Sequence, residues 1–467
     1  MGSGTMHNGE RIEIRIIEDG LKATVRFNMA KEDLGAQNRP QLVAETAARL
    51  KEKGVVCGLK TDLFSEELQS GVDYVFAEGK PPVDGTDAQI RMFELKEPRP
   101  QTGKDDKVDY YEVSLITIVQ ANTWLGERID ATEGREGYTV RGEVLKQQKG
   151  VNYPLLYDKE TVYEVREGNK TTIYSKIYGA LYYKNGKIAV MNPLVIEGDV
   201  GPKTGNIVFD GYVIIKGTIC DNYYVEASRD IEIGGELGLG NVKGVVSAQG
   251  SIFIKGGILS RGNSEIKAEK DIYTKFADNT AITCGGSAHF GYYCSNCSIS
   301  AKEVVIDSFK GQIIGGNIKA DSRVIAPVIG SELGKKTVIV VTGFDRKAII
   351  AEDESISAKI DSLKREYENV KQTISYLSRQ YQLSIYQKNL YETSIERLGA
   401  IKDEIKVCED IRRSLACYVK AKGEGEIKVT YKIYPNSHLQ IKNKNFQVTN
   451  PIYATSFFVH DGKWIQV

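Results

Sequence analysis

Residues 266–290 read IKAEKDIYTKFADNTAITCGGSAHF. Within them Ala268 stands four positions before Ile272 and Cys284 four before Ala288, and each small anchor has an apolar residue two positions ahead of it. An even offset along an extended strand turns both side chains to one face, so each phrase lines a common interior. The phrase recurs in both directions. Its anchors are Phe209, Ala227, Ala248, Ala268, Cys284, Ala301 and Ala320, and their partners are Val213, Ile231, Ile252, Ile272, Ala288, Val305 and Val324. Successive anchors lie 16 to 21 residues apart, which is room for two or three short strands and their turns, one coil of a β-helix.

Coils of unequal length without a sustained six-residue repeat point to a single-stranded, right-handed β-helix rather than the left-handed hexad type. A β-sandwich also alternates and is rich in glycine, but nothing in it holds one offset through seven units. The expected fold is mainly β. An N-terminal α/β domain occupies 11–180, the β-helix 181–350, a coiled-coil hairpin insertion 351–422, and a C-terminal β segment 423–467 completes the helix. Residues 1–10 read as a polar, tag-like start.

Composition narrows the function. A chain of 467 residues exceeds one ordinary core, so two or three domains are expected. Lys plus Arg number 62 against 62 Asp plus Glu, so no general field draws the chain to nucleic acid or anionic lipid. No apolar run reaches the roughly 20 residues of a bilayer crossing, and a soluble, cytoplasmic protein is expected. Seven widely spread cysteines read as reduced thiols rather than a disulfide framework.

Ahead of the β-helix, Arg11 to Phe27 reads as two strands joined at Glu18, Asp19 and Gly20. A helix then starts at Pro40, buries Leu42, Thr46, Ala47 and Leu50, and stops at Gly54 before a strand at Val55 to Cys57. Two glycine-rich segments follow, Gly79 to Gly85 and Gly134 to Gly142. The first lacks the Lys-Ser/Thr ending of a phosphate-cradling loop and carries two prolines without amide donors, so it reads as a structural turn. After the β-helix the period becomes seven: Ile356, Ile360, Leu363, Tyr367, Val370, Ile374, Leu377 and Tyr381 form an a/d seam. A second run comprises Ile395, Leu398, Ile401, Ile405, Cys408, Ile411, Leu415 and Tyr418. The break at Gln382 to Asn389 favours an antiparallel hairpin within one chain; the alternative is a continuous helix that pairs two chains as a homo-oligomer.

The glycine segments, Gly205, Asn206 and Ile207 before the coils, Lys310 to Gly316, Ile329 to Ser331, and a helical insertion before the last β segment occur in this order along nearly the whole chain. In this the chain resembles the bacterial flagellar assembly protein A-like proteins. The resemblance implies an N-terminal interaction domain, a β-helix and a coiled-coil excursion in a bacterial cytoplasmic protein without established enzymatic activity. In some members it implies a link to flagellar placement and to a sugar-phosphotransferase component bound by the N-terminal region.

Candidate chemistry lies in the solenoid and in the cysteines. Residues just before each partner are Tyr212, Asp230, Ser251, Asp271, Ser287, Val304 and Arg323. Asp230 and Asp271, two coils apart, stand roughly 9.6 Å from each other at about 4.8 Å per coil, at the outer limit for a pair of glycosidase carboxylates. They read as turn residues. Cys284, His289, Cys294 and Cys297 have ligand types that zinc prefers. Yet Cys284 occupies an inward anchor position, and Cys294 and Cys297, three apart, converge only if the chain turns at Ser295 and Asn296. No metal and no cofactor are expected. His438 and His460 have no Ser or Cys nucleophile at a recognisable spacing. The tyrosine pairs Tyr110/Tyr111, Tyr182/Tyr183, Tyr223/Tyr224 and Tyr292/Tyr293 place one ring out of each strand, as a binding face or as plain surface.

The function these residues support is a non-enzymatic scaffold that binds protein partners through the N-terminal domain and the coiled coil. Two rivals stand beside it: a carbohydrate-active β-helix, needing a groove of converging carboxylates, and a polymerising rod of bactofilin type, needing uncapped, self-complementary ends.

Overall fold

A computed structural model describes residues 11–65, 67–95, 101–102, 108–109, 116–247, 249–380 and 382–467. Residues 1–10, Ala248, Tyr381 and the Tyr110/Tyr111 pair lie outside the described residues.

From Leu194 onward the chain winds as a β-solenoid of about eight turns whose strands stack in parallel. Each full coil offers three short strands, and their inward side chains form three columns. The first column includes Ala227, Ser247, Ala268 and Cys284, then Ala301, Ala320 and Val341. The second runs Val213, Ile231, Ile252, Ile272, Ala288, Val304, Val324 and Ile427. The third includes Ile258, Ala277, Cys294, Ile313, Ile329 and Ile433. These residues make one continuous core. Each fully buried valine or isoleucine contributes about 1.5–3 kcal/mol, so the rod is held by repetition rather than by any single contact.

Two of the expected rungs shift by one residue. Ser247, not Ala248, pairs with Ala227 and Ala268. Its hydroxyl donates to the Arg229 carbonyl at 2.8 Å and accepts from the Gly250 amide at 3.0 Å, so a polar residue sits inside at no loss of hydrogen bonding. Val304, not Val305, occupies the second column, because a register irregularity between Ala301 and Glu303 removes one residue from that corner. In five coils the corner leading into the first column takes a left-handed residue. Asn222, Asn279, Asn296, Gly315 and Asn436 take φ of 68°, 51°, 50°, 66° and 63°, each three residues before the first inward side chain of its strand. Asparagine and glycine tolerate that conformation best.

Among its described residues the N-terminal region is β-rich with one α-helix. Ile12–Ile17 and Lys22–Phe27 pair antiparallel, with Asp73–Glu78 beside them, and helix α1 (Arg39–Glu52) packs Leu42, Thr46 and Leu50 inward. Ala47 is exposed, and Val55 to Cys57 form no strand; instead the amides of Val56 and Cys57 reach the Val140 carbonyl. The two glycine segments prove to be each other's partners. Lys80 and Tyr138 exchange both backbone hydrogen bonds, as do Val83 and Arg135. The backbones lie so close that a Cβ on Gly85 would meet the Thr132 carbonyl oxygen at 2.0 Å, and one on Gly137 the Lys80 oxygen at 2.2 Å.

The excursion is an antiparallel hairpin of α2 (Arg346–Ser378) and α3 (Ile385–Lys420). Asp345 caps α2 by accepting from the Lys347 and Ala348 amides, and Ser384 with Gln387 forms a capping box at α3. Ile360 and Leu363 of α2 pack against Ile401 and Cys408 of α3, with Arg412–Asp353 and Arg397–Glu366 ion pairs at the flanks. Ile411, assigned to the seam by its spacing, faces solvent. The solenoid then resumes at Glu426–Ile433 and ends differently from the way it began. Ser437–Ile441 folds back antiparallel on Lys444–Val448, and Ile452–His460 on Lys463–Gln466. Phe446, Phe457 and Trp464 stack over the last coil with centroids 5.4–5.8 Å apart.

Candidate functional site

The row of residues just before the second column is the first place where catalysis would show. With Val304 inside, the row contains Glu303, which pairs with Ser287 on one side and Arg323 on the other, and Arg323 pairs with Glu426. A fixed offset of four puts Val304 in this row and misses the acidic Glu303. Each acid is committed. Asp230 Oδ1 accepts from the Ser251 amide and Asp271 Oδ1 from the Ser287 amide, both at 2.7 Å. Asp199 does the same for Thr218 at 2.8 Å. The carboxylates thus clip one coil to the next. Glu303 is 2.7 Å from Arg323 with side chains 9% and 16% exposed, and Glu426 accepts from the Ser456 hydroxyl and the Lys422 amide.

Burial pushes the Asp230 carboxyl above the ordinary aspartate value. Its folded pKa therefore exceeds the unfolded one: its contribution is complete below the ordinary aspartate pKa and is lost as pH rises through the raised value. Asp230→Asn keeps an oxygen for the Ser251 amide and removes the charge. The variant is expected to match the parent at about pH 4 and to surpass it in urea midpoint at about pH 7.5. Asp230→Ala, which abandons the clip, should lose about 1 kcal/mol.

The cysteine and histidine candidates are dispersed. Cys284 faces inward in the first column and Cys294 in the third, while His289 points outward. Its ring stacks on Tyr273 at 5.0 Å and 11°, and Nδ1 lies 3.2 Å from Asp307 Oδ1. The turn at Asn296 exists and Cys297 is buried beyond it, its thiol donating to the Ser295 carbonyl. Among the described residues no three His, Cys, Asp or Glu side chains gather as a metal set. Burial raises the thiols, Cys284 to about 12 and Cys297 to about 11, and holds them neutral. His438 lies opposite Gln447 in the closing hairpin, and His460 is 3.6 Å from Asp461.

The arrangement with functional reach is the one that joins the three bodies. At the start of the rod, the Arg229 guanidinium lies 5.3 Å over Tyr182 and 5.4 Å over Tyr212, and the Ile116 amide donates to Glu232 at 2.8 Å. At the far end, Arg346 Nη1 donates to the Ala421 and Gly423 carbonyls, and Phe344 meets Tyr418 edge-on, fixing both feet of the hairpin. The Cys417 thiol lies at the Ser322 hydroxyl of the solenoid. Helix α2, about 50 Å long, is longer than the roughly 34 Å of seven coil steps, so the hairpin reaches the N-terminal region. There Leu156 inserts between Ile374 and Leu398, Lys371 sits 4.9 Å over Tyr153, and Arg379 donates to Gln148. The turn Asn185–Gly186 presses on α3 so closely that a Cβ on Gly186 would lie 2.6 Å from the Gly399 oxygen. The rod, the hairpin and the N-terminal region form a closed frame. Gly399 and Leu156 are the residues that bring the hairpin back against the N-terminal region.

No helix of the described residues is long and apolar enough to cross a membrane. Among family models, one described as Flagellar Assembly Protein A N-terminal region matches residues 12–186, and one described as Flagellar Assembly Protein A beta solenoid domain matches residues 192–464. No curated protein and no solved structure matches the chain.

Proposed function

The chain belongs to the flagellar assembly protein A family, and from that premise we propose that it is a non-enzymatic scaffold of the bacterial cytoplasm that holds protein partners on a rigid frame. The observation that supports this most is the three-way closure: each body is fastened to the other two, so surfaces on the N-terminal region and on the hairpin keep a fixed separation. Carboxylates spent on coil-to-coil clips argue against the carbohydrate-active rival. The antiparallel hairpins that close the last coil, with lysines on their outer strands Lys444–Val448 and Lys463–Gln466, argue against end-to-end polymerisation.

The N-terminal region is the proposed contact for a sugar-phosphotransferase component or a flagellar assembly factor. Purified phosphotransferase components titrated into the full chain should show saturable binding, and light scattering should give one discrete mass. Failure of every component to bind, together with open-ended growth in mass, would replace this reading with that of a polymerising rod.

A further inference from the structure

The frame leaves a cleft of about 500 Å³ between the N-terminal region and α3. Ile90, Met92, Leu156 and Tyr183 form its apolar side, and Lys402 and Lys406, one helical turn apart, face them from α3. Among the described residues neither lysine is ion-paired; instead Lys406 Nζ rests 5.2 Å over the Tyr183 ring and Lys402 Nζ 5.9 Å over Tyr367. Aromatic faces hold an ammonium in place without neutralising it. The same helical stripe continues to Glu409 and Arg413 at the other end of the cleft, where Arg413 pairs with Asp410 and Glu409 is left over, so that end is net negative while the lysine end is net positive by one charge. Asp403 is the acid on that end, one position off the stripe.

We propose that this cleft binds a small amphipathic anion, an apolar acyl body lying on the Ile90 to Tyr183 wall with its carboxylate between Lys402 and Lys406. Size and chemistry agree: pockets for small ligands are largely apolar, with a few convergent polar groups to orient the molecule. Because the two walls belong to different bodies, an occupant tightens the frame. The inference is independent of the scaffold reading, which stands or falls on protein partners.

The test is calorimetric titration of the full chain with dodecanoate below its micellar range, beside dodecanol, which lacks the charge, and acetate, which lacks the chain. Dodecanoate is expected to bind one per chain in the micromolar range, at least about tenfold more tightly than either control. It should also slow hydrogen exchange at residues 89–92 and 402–406. The double variant Lys402→Gln, Lys406→Gln should weaken dodecanoate about tenfold and leave dodecanol unchanged. No saturable binding up to about 1 mM, equal binding of dodecanol, or full binding by the double variant would each overturn the assignment. The comparison of the three probes uses the unaltered chain, so it holds even if the variant folds poorly.

Discussion

Gly85→Ala is expected to unfold the N-terminal region under conditions in which the solenoid remains intact. The added methyl would sit 2.0 Å from the Thr132 oxygen and 2.7 Å from the Gly150 amide nitrogen, both backbone atoms that cannot step aside as a flexible side chain would. Separating the strands to admit it breaks the paired hydrogen bonds between the two glycine segments, and a loss above about 3 kcal/mol is expected. The two tryptophans allow the regions to be read separately. Trp124 lies in the N-terminal sheet, and Trp464 in the cap of the last coil. In chains keeping one tryptophan each, the Trp124 transition should move to far lower denaturant while that of Trp464 holds. Gly168→Ala is the control: its φ is +59° but nothing lies within 4 Å, so about 1 kcal/mol is expected from conformation alone. Equal effects at both glycines would show that the segments do not interlock.

The second large effect should follow from Gly399→Leu. A Cβ at this position would be 3.1 Å from the Asn185 carbonyl oxygen and 3.9 Å from Leu156, so alanine is nearly admissible. Alanine also gains about 1 kcal/mol of helix propensity over glycine, and the two effects should roughly cancel. Leucine adds three more carbons where the β-turn already touches the helix, and the turn must lift. Hydrogen exchange is expected to accelerate by at least about tenfold in residues 148–156, 183–188 and the hairpin tip, a loss of about 1.4 kcal/mol or more, with no change in the coils. Unaltered exchange around Asn185 would mean that the hairpin does not close the frame.

Much of this fold could be read in advance, for reasons that also explain what could not. Inward residues recur with an even offset because strands have a period of two, and that signal survives any variation in the turns. Corner lengths do vary, so a fixed offset points to Ala248 and Val305, one position beyond the inward Ser247 and Val304, and so misses Glu303. The asparagine three residues before Val225, Ile282, Ile299 and Leu439 was a readable mark of the left-handed corner that the anchor pattern alone does not use. The cysteines had the right chemistry for a metal but not the right directions, since column membership sends Cys284 and Cys294 to different walls. The seam of α2 showed two helices clearly. Their docking was hidden, because Gly399, Leu156 and Tyr153 acquire meaning only when residues some 240 apart in the chain meet.

The feet of the hairpin meet where Arg346 grips the Ala421 and Gly423 carbonyls, so the excursion departs from and returns to the same coil. An arm of any height can therefore stand on this base without altering the winding beneath it. Lengthening both arms by one heptad would carry the tip about 10 Å further. The rod sets a fixed span and the insertion acts as an adjustable strut, a part whose reach can be retuned in evolution or by design while the foundation keeps its register.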